Sequence, residues 1–154
     1  MKLIRKTTET VIVILFSVLV ISVLIQVIAR YIFNNPPSWT EELARYCQVW
    51  IIMLASSICI KNGSHLAVDY LSRTLSKKSN YIIELIISIL TIMYLFIVII
   101  FGIKLMLVGV YQVSPAIQLK MSFVYAIFPI GGFLMFLEAV IKVITRFKYN
   151  VEEY

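Results

Sequence analysis

The stretch VIVILFSVLVISVLIQVIA, Val11 to Ala29, runs for 19 residues without a charged side chain. At about 1.5 Å per helical residue it nearly matches a bilayer hydrocarbon core of roughly 30 Å. Three more runs repeat the theme. Leu85 to Ile103 is again 19 uncharged residues, Met121 to Leu137 is 17, and Tyr46 to Ile60 is 15. The third reaches spanning length by continuing over Glu138 into AVIKVI. The fourth does so only by taking in Leu43, Ala44 and Arg45. With 154 residues, 61% hydrophobic and 14% charged, the chain is too short to enclose four such helices in a water-soluble core. The reading is therefore an all-α membrane protein with four transmembrane helices, over about 10–33, 38–60, 81–104 and 122–144, forming one membrane domain. The first run follows Lys2, Arg5 and Lys6, but it exceeds a typical signal-peptide core and no small-x-small site follows, so it reads as a retained helix.

The formal charge of +6 is a topology signal rather than a nucleic-acid footprint. Ten of the 14 Lys and Arg fall in the N-terminus, the segment between helices 2 and 3, and the C-terminus. Arg30, Arg45, Lys104 and Lys120 make up the other side. The positive-inside rule then expects both termini in the cytoplasm.

Two connections carry the local detail. NNPPSWTEELAR, Asn34 to Arg45, breaks helix 1 at a double proline and restarts with SWTE. Ser38 fits an N-cap with Glu41 reaching back as a capping box, and Trp39 suits the membrane interface. Glu41 and Arg45 are spaced i,i+4, Glu42 lies on another face, and Arg30 approaches from helix 1. This group is expected to meet at the outer end, either as a clasp closing the first hairpin or as a face that docks a partner; the two readings can coexist. Between helices 2 and 3, Leu66, Tyr70, Leu71 and Leu75 share one helical face, with His65, Asp69 and Arg73 on the opposite one. That pattern predicts a short amphipathic helix over about 64–76 lying on the membrane surface. In helix 4, Pro129 should introduce a kink, and Gly131 and Gly132 should let a neighbouring backbone come close.

Catalysis finds no footing. There is one histidine, and no G-x-S-x-G, H-E-x-x-H, Walker loop or Cys/His set with metal-ligand spacing. His65, Asp69 and Arg73 read as a charge ladder on a helix surface. Cys47 and Cys59 lie twelve residues apart on one helix, about 18 Å, too far to bridge. The helix middles offer Ser17, Ser22, Ser88 and Thr91 but no charge, which is poor equipment for a coupled transport site. A thiol redox enzyme would need cysteine pairs in the outward loops, and a pore would need a polar stripe.

QVIARYIFNNPPSWTEELARY, GSHLAVDYL and QVSPAIQLKMSFVYAIFPIGG together resemble the small membrane subunit, the DctQ-like component, of tripartite ATP-independent periplasmic (TRAP) transporters. The resemblance runs from about Val11 to Lys142. Ala55-Ser56 replaces a glycine expected there, and Lys120 sits close to the start of helix 4. It implies a non-enzymatic scaffold subunit in the bacterial inner membrane, part of a sodium-coupled, binding-protein-dependent importer of an organic acid (dicarboxylate, keto acid or sialic acid). The implied partners are a large multi-span membrane subunit, which would hold the substrate and sodium sites, and a periplasmic substrate-binding protein. No cofactor is expected in this chain itself, and a phospholipid in the seam between subunits is compatible with the reading. The competing reading is a self-contained four-helix transporter acting as a homodimer. That class calls for a membrane-buried glutamate in helix 1, which Val11 to Ala29 lacks.

Overall fold

The computed structural model describes residues 2–61 and 77–151, and its long elements are helices. α1 spans Lys2–Tyr31, α2 Ser38–Lys61, α3 Lys77–Val108, α4 Met121–Tyr125 and α5 Ile127–Val151. Four segments are long and apolar enough to cross a membrane: Leu3–Tyr31, Ser38–Ile60, Leu85–Tyr111 and Met121–Ile144. The amphipathic helix expected over 64–76, with His65, Leu66, Asp69, Tyr70 and Leu71, lies outside the described residues.

The helices outrun the apolar segments at several ends. α1 begins at Lys2 rather than near residue 10, and α3 continues to Val108. The reason is that charged and polar flanks such as KLIRKTTET are good enough helix formers to carry on past the apolar stretch. α1 packs on α2, α2 on α5, and α5 on α3, so the four spans form a row with α2 and α5 inside. The core accordingly gathers on the inner pair: Leu54 and Cys47 of α2, Met135 and Ala139 of α5, and Leu95 of α3, all buried. α1 and α3 turn large apolar faces outward, among them Val13, Phe16 and Leu24 on one and Leu90, Phe96 and Phe101 on the other.

The row closes tightly because of glycines. A Cβ on Gly131 would stand 3.0 Å from Cβ of Met53 in α2, and one on Gly132 would stand 3.0 Å from a γ-carbon of Ile99 in α3. Adjacent residues thus face opposite neighbours of α5. Gly102 of α3 sits against Pro129, where a Cβ would approach its nitrogen to 2.9 Å. Pro129 cannot donate to the Tyr125 carbonyl, and the helix is interrupted between Tyr125 and Ile127. The Ala126 carbonyl takes up the pattern again by accepting from Ile130 at 3.3 Å. The hydroxyls of the spans return to their own helices: Ser17 to Val13, Ser22 to Val18, Ser57 to Leu54 and Thr91 to Ile87.

Candidate functional site

The end of the bundle formed by the α1–α2 turn and residues 109–120 brings together the two segments of most interest. After α1, the amides of Ile32 and Asn35 bond back to Ile28 and Ala29, with Asn34 at φ 53, so the chain reverses through a left-handed turn. α2 then begins at Ser38, and the Thr40 hydroxyl donates to the Pro37 carbonyl at 2.7 Å. Opposite it, a 3-10 turn at Gly109–Tyr111 leads into a small antiparallel loop. Val113 bridges Lys120, the Ser114 amide donates to the Leu119 carbonyl at 2.9 Å, and the Met121 amide donates to Gln112 at 2.9 Å. Gln118, at φ 60, makes the reversal at its tip.

Glu42 ties the two together. Its carboxylate accepts a short hydrogen bond from the Ser114 hydroxyl, a bond at 3.1 Å from the Ile117 amide, and bonds at 3.3 Å from the Ala116 amide. The chemistry explains the Ser-Pro-Ala order. Serine supplies the hydroxyl, and the two amides follow immediately after a proline that has none to offer. A carboxylate is acceptor-only and can fill several lone-pair sites at once, so one side chain satisfies three donors of a loop that is otherwise largely exposed. Ser114 is 1% exposed.

The charge cluster expected here forms only in part. Glu41 and Arg45 pair at 2.8 Å, on the surface of the helix. That contact replaces the expected capping box, because the Glu41 carboxylate turns along the helix to Arg45 instead of back to the Ser38 amide. Glu42, on a different face of α2 from Glu41, turns into the loop and bonds there rather than to an arginine. Arg30 is exposed and joins no ion pair or hydrogen bond among the described residues, since the reversal at Asn34 leaves it at the margin of the row. Trp39, in the first turn of α2, is 42% exposed. The turn between α1 and α2 is shaped by local backbone bonds, and the carboxylate clasp runs from α2 to the distant loop.

A family model described as "Tripartite ATP-independent periplasmic transporters, DctQ component" matches residues 19–149. The chain belongs to this family. It is therefore a component of a membrane transporter and not an enzyme. This DctQ component is 24% identical over 147 residues to the sialic acid TRAP transporter small permease protein SiaQ of Vibrio cholerae, covering 96% of this chain and 85% of that one. It is 25% identical over 139 residues to the sialic acid TRAP transporter permease protein SiaT of Haemophilus influenzae, covering 88% of this chain but 22% of SiaT. Against the isethionate TRAP transporter permease protein DctMQ of Oleidesulfovibrio alaskensis the identity is 32% over 99 residues, covering 63% of this chain and 16% of DctMQ.

At the opposite end of the row the structure shows a pair that spacing could not reveal. Arg5 of α1 donates from Nε to Glu138 Oε1 at 2.7 Å and from a terminal nitrogen to Oε2 at 2.6 Å. The contact spans 133 residues of sequence, and the Glu138 side chain is 11% exposed. Thr8, Glu9, Ser57 and Leu134 surround it and leave a cleft of about 20 Å³. The available signal was chemical: a carboxylate set in an otherwise apolar helix needs a cation, and the start of α1 holds three candidates.

Proposed function

We propose that this DctQ component is the small scaffold subunit of a sodium-coupled, binding-protein-dependent importer of an organic acid, and that it packs against a large membrane subunit without holding substrate itself. The observation that carries the reading is the state of its polar groups within the spans. The hydroxyls of Ser17, Ser22, Ser57 and Thr91 are committed to their own helix carbonyls, and Glu138 to Arg5. Groups spent in this way build a bundle rather than a pathway. SiaT and DctMQ, each several times the length of the region matched, are named permease proteins. They support an arrangement in which the work of a small and a large subunit belongs to one assembly. Sialic acid and isethionate both occur among the relatives' names, so the acid is assigned here only as a class.

In this reading the chain lies in the bacterial inner membrane with both termini cytoplasmic, as its Lys and Arg distribution favours. The Glu42-locked loop then faces the periplasm, where the substrate-binding protein delivers its cargo, and sodium binds in the large subunit. The test is affinity capture of the tagged chain from native membranes in mild detergent, with mass spectrometry of what accompanies it. Recovery of one large multi-span protein at comparable stoichiometry is expected. Recovery of this chain alone as a stable dimer would overturn the scaffold reading.

A further inference from the structure

The two outer helices of the row are not alike. α1 shows lipid-like residues over its central turns (Val13, Phe16, Val20, Leu24), and its exposed Arg30 and Tyr31 stand at the very end of the helix. Its amide, Gln26, is half covered by the chain itself. α3 is different on the side turned away from α5. Leu90, Tyr94, Ile97, Phe101, Lys104 and Val108 follow one another at alternating intervals of three and four residues, the spacing of a single helical stripe, and all are exposed.

Two polar groups on that stripe lack what a bilayer would require. Tyr94 is 64% exposed and its hydroxyl has no hydrogen-bond partner among the described residues. It lies well inside the Leu85–Tyr111 span, where neither water nor a lipid headgroup is at hand to satisfy it. Lys104 places its ammonium 5.3 Å from the centre of the Phe101 ring. Phe101 is one turn back, so the charge points toward the middle of the span. This is the direction in which helical Cα–Cβ bonds lean, and the reverse of snorkelling toward headgroups at the near end.

Sliding the helix does not resolve the conflict. The span is 27 residues, about 40 Å at about 1.5 Å each, against a hydrocarbon core of roughly 30 Å. Centred on the uncharged Leu85–Ile103 run, the core leaves Leu105, Leu107, Val108 and Val110 exposed beyond it. Shifted to cover them, it takes Lys104 into hydrocarbon.

We infer that this α3 stripe is the surface that meets the large membrane subunit, and that the helix docked there carries a carboxylate at the level of Lys104 and a hydrogen-bond acceptor at the level of Tyr94. The inference rests on the scaffold reading above and adds the face and the chemistry of the contact. A lipid phosphate would serve Lys104 but not Tyr94, which favours a protein occupant.

Photo-crosslinking in membranes holding the whole transporter tests it. Replacing Phe101 by p-benzoylphenylalanine should give an adduct with the large subunit, and the same replacement of Phe16 on α1 should give none. In parallel, Lys104→Glu should lower recovery of the large subunit several-fold, and Lys104→Arg should restore it. The melting temperature of the isolated chain should be unchanged in both, since Lys104 is exposed. An adduct of the large subunit at Phe16 instead, adducts at Phe101 with lipid or a second copy alone, or normal recovery with Lys104→Glu would each overturn the α3 assignment while leaving the scaffold reading intact. If the unmodified chain captures no large subunit at all, the scaffold reading falls and takes this inference with it.

Discussion

Two neighbouring glutamates, Glu41 and Glu42, carry the same charge and have opposite consequences. Glu41 meets Arg45 on the helix surface, with side chains 57% and 67% exposed. An i,i+4 pair of that kind contributes about 0.3–0.5 kcal/mol. Glu42 instead satisfies a hydroxyl and two amides of a loop 72 to 75 residues away. Its removal leaves the buried Ser114 hydroxyl and the half-buried amides of Ala116 and Ile117 without their acceptor, which is more damaging than losing a solvated pair. Glu42→Ala is therefore expected to lower the melting temperature in detergent and to speed hydrogen exchange at the amides of Ala116 and Ile117. Arg45→Ala should change stability by no more than about 0.5 kcal/mol and leave those amides protected. Equal protection in the two variants would show that Glu42 does not hold the loop. Both glutamates were visible as a cluster in the sequence. Which of them would turn inward depended on where residues 112–120 return in space, and no local spacing encodes that.

Between helices, the glycines decide how closely the row can pack, and they are not equivalent. A Cβ on Gly102 would meet the Pro129 nitrogen at 2.9 Å and Pro129 Cδ and Phe128 Cβ at 3.0 Å, atoms tied to the backbone of α5. On Gly132 it would meet Cγ1 of Ile99 at 3.0 Å and of Val98 at 3.4 Å, side-chain atoms able to shift by tenths of an ångström. Alanine gains up to about 1 kcal/mol over glycine within a helix, while forced overpacking costs about 1–3 kcal/mol. Gly102→Ala should thus destabilise the bundle by about 1–2 kcal/mol, and Gly132→Ala should fall within about 1 kcal/mol of neutral. Unfolding in mixed micelles with increasing SDS would rank them, and an equal loss in both would mean that the Ile99 and Val98 side chains yield no more than the backbone at Pro129 does. Gly131 and Gly132 announced a close approach by standing together just after Pro129. Gly102 did not, because one glycine inside a long apolar run is unremarkable until its distance to Gly109, seven residues on and also buried, is read as one helical face.

At the scale of the whole molecule, four apolar runs were enough to establish the number of spans, because spanning length is set by the bilayer rather than by packing. Their order in the row was not readable, since lipid-facing and helix-facing surfaces are equally apolar and carry no contrast in composition. What orients the first helix is the Arg5–Glu138 pair, which reaches from α1 to α5 beside α2. In the sequence Arg5 reads only as part of a positive terminus, and Glu138 only as a charge over which helix 4 must continue. The two-point geometry, Nε to one oxygen and a terminal nitrogen to the other, fits a guanidinium and not an ammonium. Breaking a shielded ion pair from one side strands the other charge, whereas replacing both by apolar groups of similar size can be neutral. Arg5→Leu should therefore lower the melting temperature, Arg5→Lys should recover only part of the loss, and Arg5→Leu with Glu138→Leu together should melt above Arg5→Leu alone. Melting in lipid nanodiscs, followed by the fluorescence of Trp39 and Trp50, gives this ordering directly. A double variant no more stable than Arg5→Leu would mean that the contact between α1 and α5 depends on the charges themselves. A single variant as stable as the natural chain would mean that the row holds α1 through α2 alone.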